Sequence, residues 1–207
     1  MQKAIDVSSM NIELYSDKSV KEFTELVSQP DSRMWLSNAS AETAATAAAL
    51  AVKALRKSGV EDAGMKEAEH FIEVLRKFFL KTIDQELQSR AEWDNEVEQH
   101  ERRAYIEGAV FAACSEIDEI LYGMIKLIDM LDSVSDKLTP SACADAAAAV
   151  NLGRSAMEGV KLQRYYYSTL ISGDVNVLAM RREPELAIEE SAARFDALYK
   201  KLQDKIK

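Results

Sequence analysis

Residues that interrupt helices are scarce in this sequence, and their scarcity constrains the fold more than any other feature. The 207 residues include only 7 Gly and 3 Pro. The stretch from Ile83 to Leu138 contains no Pro, and its only glycines are Gly108 and Gly123. Because Gly and Pro are the strongest breakers of regular structure, long helices can form here without interruption. The sequence therefore favours helices over short strands joined by turns.

Apolar residues recur at the three- and four-residue spacing of a helix along most of the chain. The run from Val110 to Leu131 is a long example, and no strand-like alternation or fixed-period repeat is present. A chain of 207 residues is long enough to bury a sizeable core. We therefore expect an all-α fold, in which residues 1–207 form a single-domain bundle of about six helices.

Capping residues and prolines predict several helix boundaries. Ser19 and Glu22 have the spacing of a capping box, in which each side chain accepts a hydrogen bond from the other residue's backbone N–H. Ser40 is a candidate cap for the second helix. We expect Pro140 to begin a helix and Pro184 to open the last one, because Pro is favoured in the first helical turn.

Residues 84–103 form a strongly polar segment between two apolar stretches. Leu87, Trp93 and Val97 are the large apolar residues within it. We interpret this segment as an exposed helical projection or as the tip of a helix-turn-helix.

The charge and cysteine content exclude several classes of protein. Lys and Arg total 26 against 35 for Asp and Glu, a formal net charge of -9. Nucleic-acid binding draws most of its affinity from basic surfaces, so we expect no nucleic-acid partner. No segment has the apolar length of a signal peptide or a membrane span, so we expect no membrane association. Cys114 and Cys143 form no disulfide framework, which is typical of a reducing compartment such as the cytoplasm.

One sequence motif has the spacing of a metal site. Glu67 and His70 form a Glu-x-x-His, which in di-iron bundles is paired with a second such motif. The other histidine, His100, has Val97 where the second carboxylate belongs. We therefore expect an exposed helix face here rather than a metal site. The sequence also lacks a nucleophile elbow and a phosphate-binding glycine loop, and we expect no covalently bound cofactor.

Asp145 is a lone carboxylate in the Ala-rich stretch ACADAAAAV. A buried unpaired charge is costly, so such a residue needs a partner, a solvent-filled pocket or a shifted pKa. A simpler interpretation is that Asp145 lies near the start of a helix, where acidic residues are favoured. Both interpretations stay open.

The same stretch continues with basic and aromatic residues that share one helix face. Arg154, Lys161 and Tyr165 are separated by seven and four residues, and Arg164 lies beside them. Cations and aromatic rings on one face can hold a flat anionic ligand. They can equally form a dimer interface or a solvated rim, and these alternatives stay open.

Four segments of the chain carry a resemblance that covers nearly its whole length. They are SVKEFTELVSQPDS, SNASAETAATAAALAVKAL, RRAYIEGAVFAACSEIDEILYGMIKLIDML and SACADAAAAVNLGRSAMEGVKLQRYYYSTLI. In order, they resemble the first helix, the helix after a Gly-rich loop, the long central helix and the Ser-Asp-Ala-Gly-Val-Ala helix of the formiminotetrahydrofolate cyclodeaminase and methenyltetrahydrofolate cyclohydrolase family. In that match Asp145 falls on the family's Asp, and Gly159 on a later glycine.

The resemblance implies an all-helical homodimer that takes a tetrahydrofolate derivative as its substrate. The family either expels ammonia from a formimino group to form the methenyl bridge, or hydrates that bridge. Both reactions move a proton near a cationic one-carbon unit, which would make Asp145 the general acid/base. Basic residues would meet the folate's glutamate tail. The resemblance implies two groups of substrate-binding residues. They are Ser37, Asn38 and Ser40, in the loop that precedes the second helix of the family, and Arg154, Lys161 and Arg164, near the entrance of the folate pocket.

The sequence departs from the family at its glycine-rich loop. Where the family has Pro-Gly-Gly-Gly-Ser, this chain has Leu36-Ser-Asn-Ala-Ser40. Those glycines let backbone N–H groups approach a ligand closely, and side chains obstruct such an approach. Two hypotheses follow. The chain is a divergent folate one-carbon enzyme, or it is a non-catalytic helical binding or assembly protein that uses residues 84–103 and the Tyr165–Tyr167 cluster to contact a partner.

Overall fold

The computed structural model describes residues 14–30, 36–59, 62–100 and 103–207, with side chains described outside residues 85–105. Over these residues the fold is entirely helical and contains no strand, which confirms the predicted all-α helical bundle. Two short 3₁₀ turns, Tyr15–Asp17 and Ser135–Lys137, accompany the helices. The six α-helices of the described residues are α1 (Val20–Ser28), α2 (Leu36–Ser58), α3 (Ala63–His100), α4 (Arg103–Val134), α5 (Pro140–Ser168) and α6 (Asp174–Ile206).

Helices α2 and α5 pack closely and run antiparallel. Ser40 near the start of α2 lies against Gly159 in the second half of α5, and Lys57 at the end of α2 bonds to the carbonyl of Ser141 in the first turn of α5. The contact face of each helix consists largely of buried alanines, among them Ala44 in α2. Such small side chains let the two backbones approach closely. α3 also packs against α2, and α6 against α5.

Larger apolar residues of α3 and α4 fill the rest of the core. Phe79 of α3 and Ile117, Leu121 and Met124 of α4 are almost fully buried. Burying one such side chain stabilises a fold by about 1.5–3 kcal/mol. The helical spacing that predicted α4 is therefore the spacing of its core-facing side chains.

The structure confirms two of the predicted helix boundaries and contradicts a third. The capping box at the start of α1 is confirmed, since the Ser19 backbone N–H donates to Glu22 Oε2 at 2.9 Å and the Glu22 N–H to Ser19 Oγ at 3.3 Å. Pro140 begins α5 as predicted. The prediction that Ser40 caps α2 is wrong, because the helix already includes Leu36. Ser40 instead lies inside the helix and donates its hydroxyl to the Leu36 carbonyl at 2.8 Å.

The prediction that Pro184 opens the last helix is also wrong. α6 begins at Asp174, directly after Gly173, whose φ of 87° is in the left-handed region that favours glycine. Pro184 lies buried in the helix interior. There it has no N–H to donate to the carbonyl of Met180, four residues earlier. That carbonyl accepts a hydrogen bond from Arg164 Nε at 3.0 Å instead.

The polar segment 84–103 is helical where the structure describes it, as the end of α3 and the start of α4. Its predicted exposure concerns side chains that lie outside the described residues. Asp84, its first residue, accepts hydrogen bonds from the backbone N–H groups of Tyr15 at 2.8 Å and Ser16 at 3.2 Å. Across the described part of the chain, none of the helices combines the length and the apolar character that crossing a bilayer requires.

Candidate functional site

Asp145 lies between two lysines of the neighbouring helix. Because α2 and α5 are antiparallel, the end of α2 lies beside the first turns of α5. Lys53 Nζ lies 2.9 Å from Asp145 Oδ1, and Lys57 Nζ lies 3.3 Å from Oδ2. The Asp145 side chain is 15% exposed. The carboxylate that looked isolated in the sequence therefore has two cationic partners.

These partners set the protonation state of Asp145. The hydrogen bond from Lys53 lowers the pKa of the carboxyl below its usual value, and Lys57 adds to the effect, while partial burial opposes it. Asp145 is therefore ionised at neutral pH. An ionised carboxylate can accept a proton or stabilise a cation, but it has no proton of its own to donate.

The two lysines also line an open groove between α2 and α3. The groove has a volume of about 560 Å³, and Ala49 and Val52 form its apolar part. Its charged lining is mainly cationic. The charged residues of the groove are Lys53, Arg56, Lys57 and Arg76, together with Glu73.

Ser37, Asn38 and Ser40 are buried in the first turns of α2. Asn38 Nδ2 donates to the carbonyl of Ile83 in α3 at 2.9 Å. Ser40 packs against Gly159 so closely that a Cβ built on Gly159 would lie 2.1 Å from Ser40 Oγ. The predicted loop residues are therefore buried in the helix, and Asn38 and Ser40 contact α3 and α5.

These residues are far from Asp145 along α5. Gly159, which marks the position of Ser40, lies about 21 Å beyond Asp145 at about 1.5 Å of helix rise per residue. Within one chain, the structure does not bring the predicted general acid/base together with the predicted loop residues.

The remaining predicted binding residues of α5 contact α6 or their own helix. Arg154 Nη2 bonds to Asp196 Oδ1 at 2.6 Å, and its guanidinium lies 5.5 Å from the centroid of the Phe195 ring. Lys161 pairs with Glu158 one turn earlier. In the tyrosine cluster, the Tyr165 hydroxyl bonds to Glu185, Tyr166 is exposed and Tyr167 is buried.

Arg164 is buried and joins three helices. From α5 it donates to Asp118 Oδ2 in α4 at 2.8 Å and to Glu183 Oε2 in α6 at 2.6 Å, in addition to the Met180 carbonyl. Burial raises the pKa of Asp118 to about 6, although Arg164 pulls it down. Burial likewise raises the pKa of the nearby Cys114 thiol to about 12, so that this cysteine is an inert thiol at neutral pH.

Lys53, Lys57 and Asp118 are the residues that sequence reasoning missed. Lys53 and Lys57 are four residues apart on an Ala-rich helix, a spacing that places both on one face. The spacing of these two lysines could therefore have been recognised in the sequence. No local pattern distinguishes Asp118 from the other acidic residues of α4.

Glu67 and His70 lie on the exposed face of α3, and the described residues contain no group of three or more His, Cys, Asp or Glu placed to hold a metal ion.

Comparisons with known proteins identify the fold. No family model matches the sequence, and no curated protein is detectably similar to it. The structure is similar to the crystal structure of formiminotetrahydrofolate cyclodeaminase from Thermotoga maritima, with a TM-score of 0.75 and 15% sequence identity, over 92% of this chain and 96% of that chain. The structural relationship expected from the sequence is thus supported at the level of the fold.

Proposed function

We propose that this protein is a non-catalytic helical binding protein that keeps a cyclodeaminase-like fold without a folate pocket at the start of α2. The observation that carries the proposal is the burial of Ser37 and Asn38, which stand where the family resemblance implies glycines of a ligand-binding loop. Both lie in the first turn of α2, and Asn38 Nδ2 donates to the carbonyl of Ile83 in α3 at 2.9 Å. Packed side chains therefore occupy the start of α2, where the resemblance implies a loop open to ligand.

The other predicted site residues support the same conclusion. Arg154 and Arg164 bind acidic residues of α6, and Arg164 also binds Asp118 of α4. Lys161 pairs with Glu158. A folate site needs these groups to converge on one pocket, because binding and catalysis depend on oriented groups. Here each has a partner within the chain.

A turnover assay tests the proposal. The purified protein is incubated with 5-formiminotetrahydrofolate and with 5,10-methenyltetrahydrofolate, and the loss or gain of the methenyl absorbance is followed. We expect no rate above the uncatalysed reaction. An enzymatic rate that disappears in Asp145→Asn but persists in Asp129→Asn, a control at the exposed ion pair with Arg194, would overturn the proposal.

The second candidate function is that of a divergent folate one-carbon enzyme. The fold likeness and the Lys53–Asp145–Lys57 cluster favour it. In that case the ionised Asp145 would accept a proton and stabilise the cationic one-carbon unit, and the adjacent lysines would supply or relay protons. Loss of turnover in Asp145→Asn, in the assay above, is the result that this candidate requires.

We also propose that the protein is a homodimer. Large apolar side chains are exposed within two helical turns on either side of the connection from α5 to α6. Leu162 and Tyr166 share one face of α5, because they are four residues apart, and contiguous exposed apolar surface marks protein interfaces. Light scattering on the purified protein should give twice the mass of the chain, and a monomer mass would contradict the proposal. The exposed residues are Leu162, Tyr166, Val175 and Leu178.

A further inference from the structure

We infer that the groove between α2 and α3 binds a small polyanion, a molecule that carries phosphate or several carboxylate groups. This inference rests on the proposed binding function and names its ligand class. Lys53, Arg56, Lys57 and Arg76 surround one groove of about 560 Å³. A volume of this order is typical of small-molecule sites.

The clustering of cations does not follow from the composition. The molecule carries a formal net charge of -9, yet four of the five charged residues that line this groove are basic. Their side chains are accessible, from 30% exposed at Arg76 to 60% at Lys53 and Arg56. Three carboxylates contact these cations, Glu69, Glu73 and Asp145, and the cluster still carries one net positive charge on an acidic molecule, which makes it a place where anions gather.

The cations of the groove keep hydrogen-bond donors for a ligand. Arg56 bonds to Glu69 through Nε alone, at 2.7 Å, among the described contacts. A guanidinium has five N–H donors, so its two terminal nitrogens can still bind an anionic oxygen bidentately. Lys53 uses one bond, to Asp145, of the three that an ammonium can donate.

The acidic neighbours position these cations. Asp145 bonds to both lysines from the α5 side, and Lys57 is further fixed by the Ser141 carbonyl at 2.9 Å. Glu73 holds Arg76 with two bonds, of 3.0 and 2.7 Å. Side chains that are already oriented lose less conformational entropy when a ligand binds. The apolar surface of Ala49 and Val52 leaves room for a nonpolar part of the ligand.

Calorimetric titration with inorganic pyrophosphate and with citrate at low salt tests the inference. We expect saturable binding of at least one of these probes to the full-length protein. The double variant Lys53→Gln/Arg56→Gln should weaken that binding about tenfold or more, because it removes two charged donors from the groove. Circular dichroism checks that this variant keeps its helical content.

The matched control is Arg194→Gln/Lys201→Gln, which removes the same charge from ion pairs that α6 makes with Asp129, Asp132 and Asp136. The affinity of this control variant for the probe should stay within about twofold of the affinity of the parent protein. No saturable binding, or equal weakening in both double variants, would overturn the inference. Folate turnover in the assay above would overturn the proposed function instead, so the two failures are distinguishable.

Discussion

Arg164 shows how one buried side chain can connect several helices. It donates to Asp118 in α4 and to Glu183 and the Met180 carbonyl in α6. The last bond compensates for Pro184, whose ring nitrogen cannot donate to that carbonyl. A residue that the sequence suggested for ligand binding thus has a role in stability.

Replacing Arg164 by Met should lower the free energy of unfolding by about 3–5 kcal/mol, because the variant leaves the partly buried Asp118 carboxylate and the Met180 carbonyl without their donor. Urea unfolding measures the change. Arg194→Met, which breaks the exposed pair with Asp129, is the control and should cost no more than about 1 kcal/mol. Similar losses in the two variants would contradict the role given to Arg164.

Asp118 should make stability depend on pH in an unusual direction. Its pKa rises from 3.8 to about 6 in the folded protein, so between these values the native state binds the proton more tightly than the unfolded state. The stabilising contribution of Asp118 to the free energy of unfolding is therefore fully present below pH 3.8. It is lost as the pH rises through the folded-state pKa of about 6. Asp118→Asn should remove this dependence. Urea unfolding of both proteins across that range measures it, and parallel pH profiles would contradict it.

At the scale of elements, the contact between α2 and α5 depends on small residues. Gly159→Ala should destabilise the protein by about 1–3 kcal/mol, since the new Cβ would meet Ser40 Oγ at 2.1 Å. Gly108→Ala is the control. Nothing lies within 4 Å of its new Cβ, so α4 should gain about 0.5–1 kcal/mol from the better helix former. Thermal unfolding compares the two variants.

A second substitution tests whether the destabilisation comes from the contact itself. Ser40→Gly removes both atoms that the Gly159→Ala side chain would meet most closely, Oγ at 2.1 Å and Cβ at 3.3 Å. The double variant should therefore lose less free energy of unfolding than the sum of the losses in the two single variants. Additive costs would mean that Gly159 matters for another reason, such as backbone freedom.

The helices were predictable because apolar periodicity and scarce breakers are local signals. α4 illustrates this, since its periodic residues Ile117, Leu121 and Met124 are core residues. Pro184 was misinterpreted because its compatibility with a helix interior depends on Arg164, which is 20 residues away in sequence. The pairing of Asp145 with Lys53 spans 92 residues and was equally invisible to local patterns. Long-range contacts therefore determined most of what the sequence could not predict about the site.

For the whole molecule, the likeness to a cyclodeaminase structure at 15% identity shows a shared fold. Fold and chemistry separate readily, because a function depends on particular side chains placed on a scaffold. In this chain the residues expected to bind folate are dispersed and have partners, whereas basic residues that the resemblance did not assign surround a groove between α2 and α3. We therefore propose that the architecture is retained and that the binding surface has moved to this groove.

A thermal-shift titration with folinic acid and tetrahydrofolate tests this account most directly, because a ligand that binds only the native state raises its melting temperature. We expect any dose-dependent rise up to millimolar ligand to be lost in Lys53→Gln/Arg56→Gln, because the carboxylates of folate fit the groove between α2 and α3, whereas buried Ser37 and Asn38 occupy the start of α2 where a folate loop would lie open. A saturable rise that survives Lys53→Gln/Arg56→Gln would place folate outside the groove between α2 and α3, and it would contradict the account.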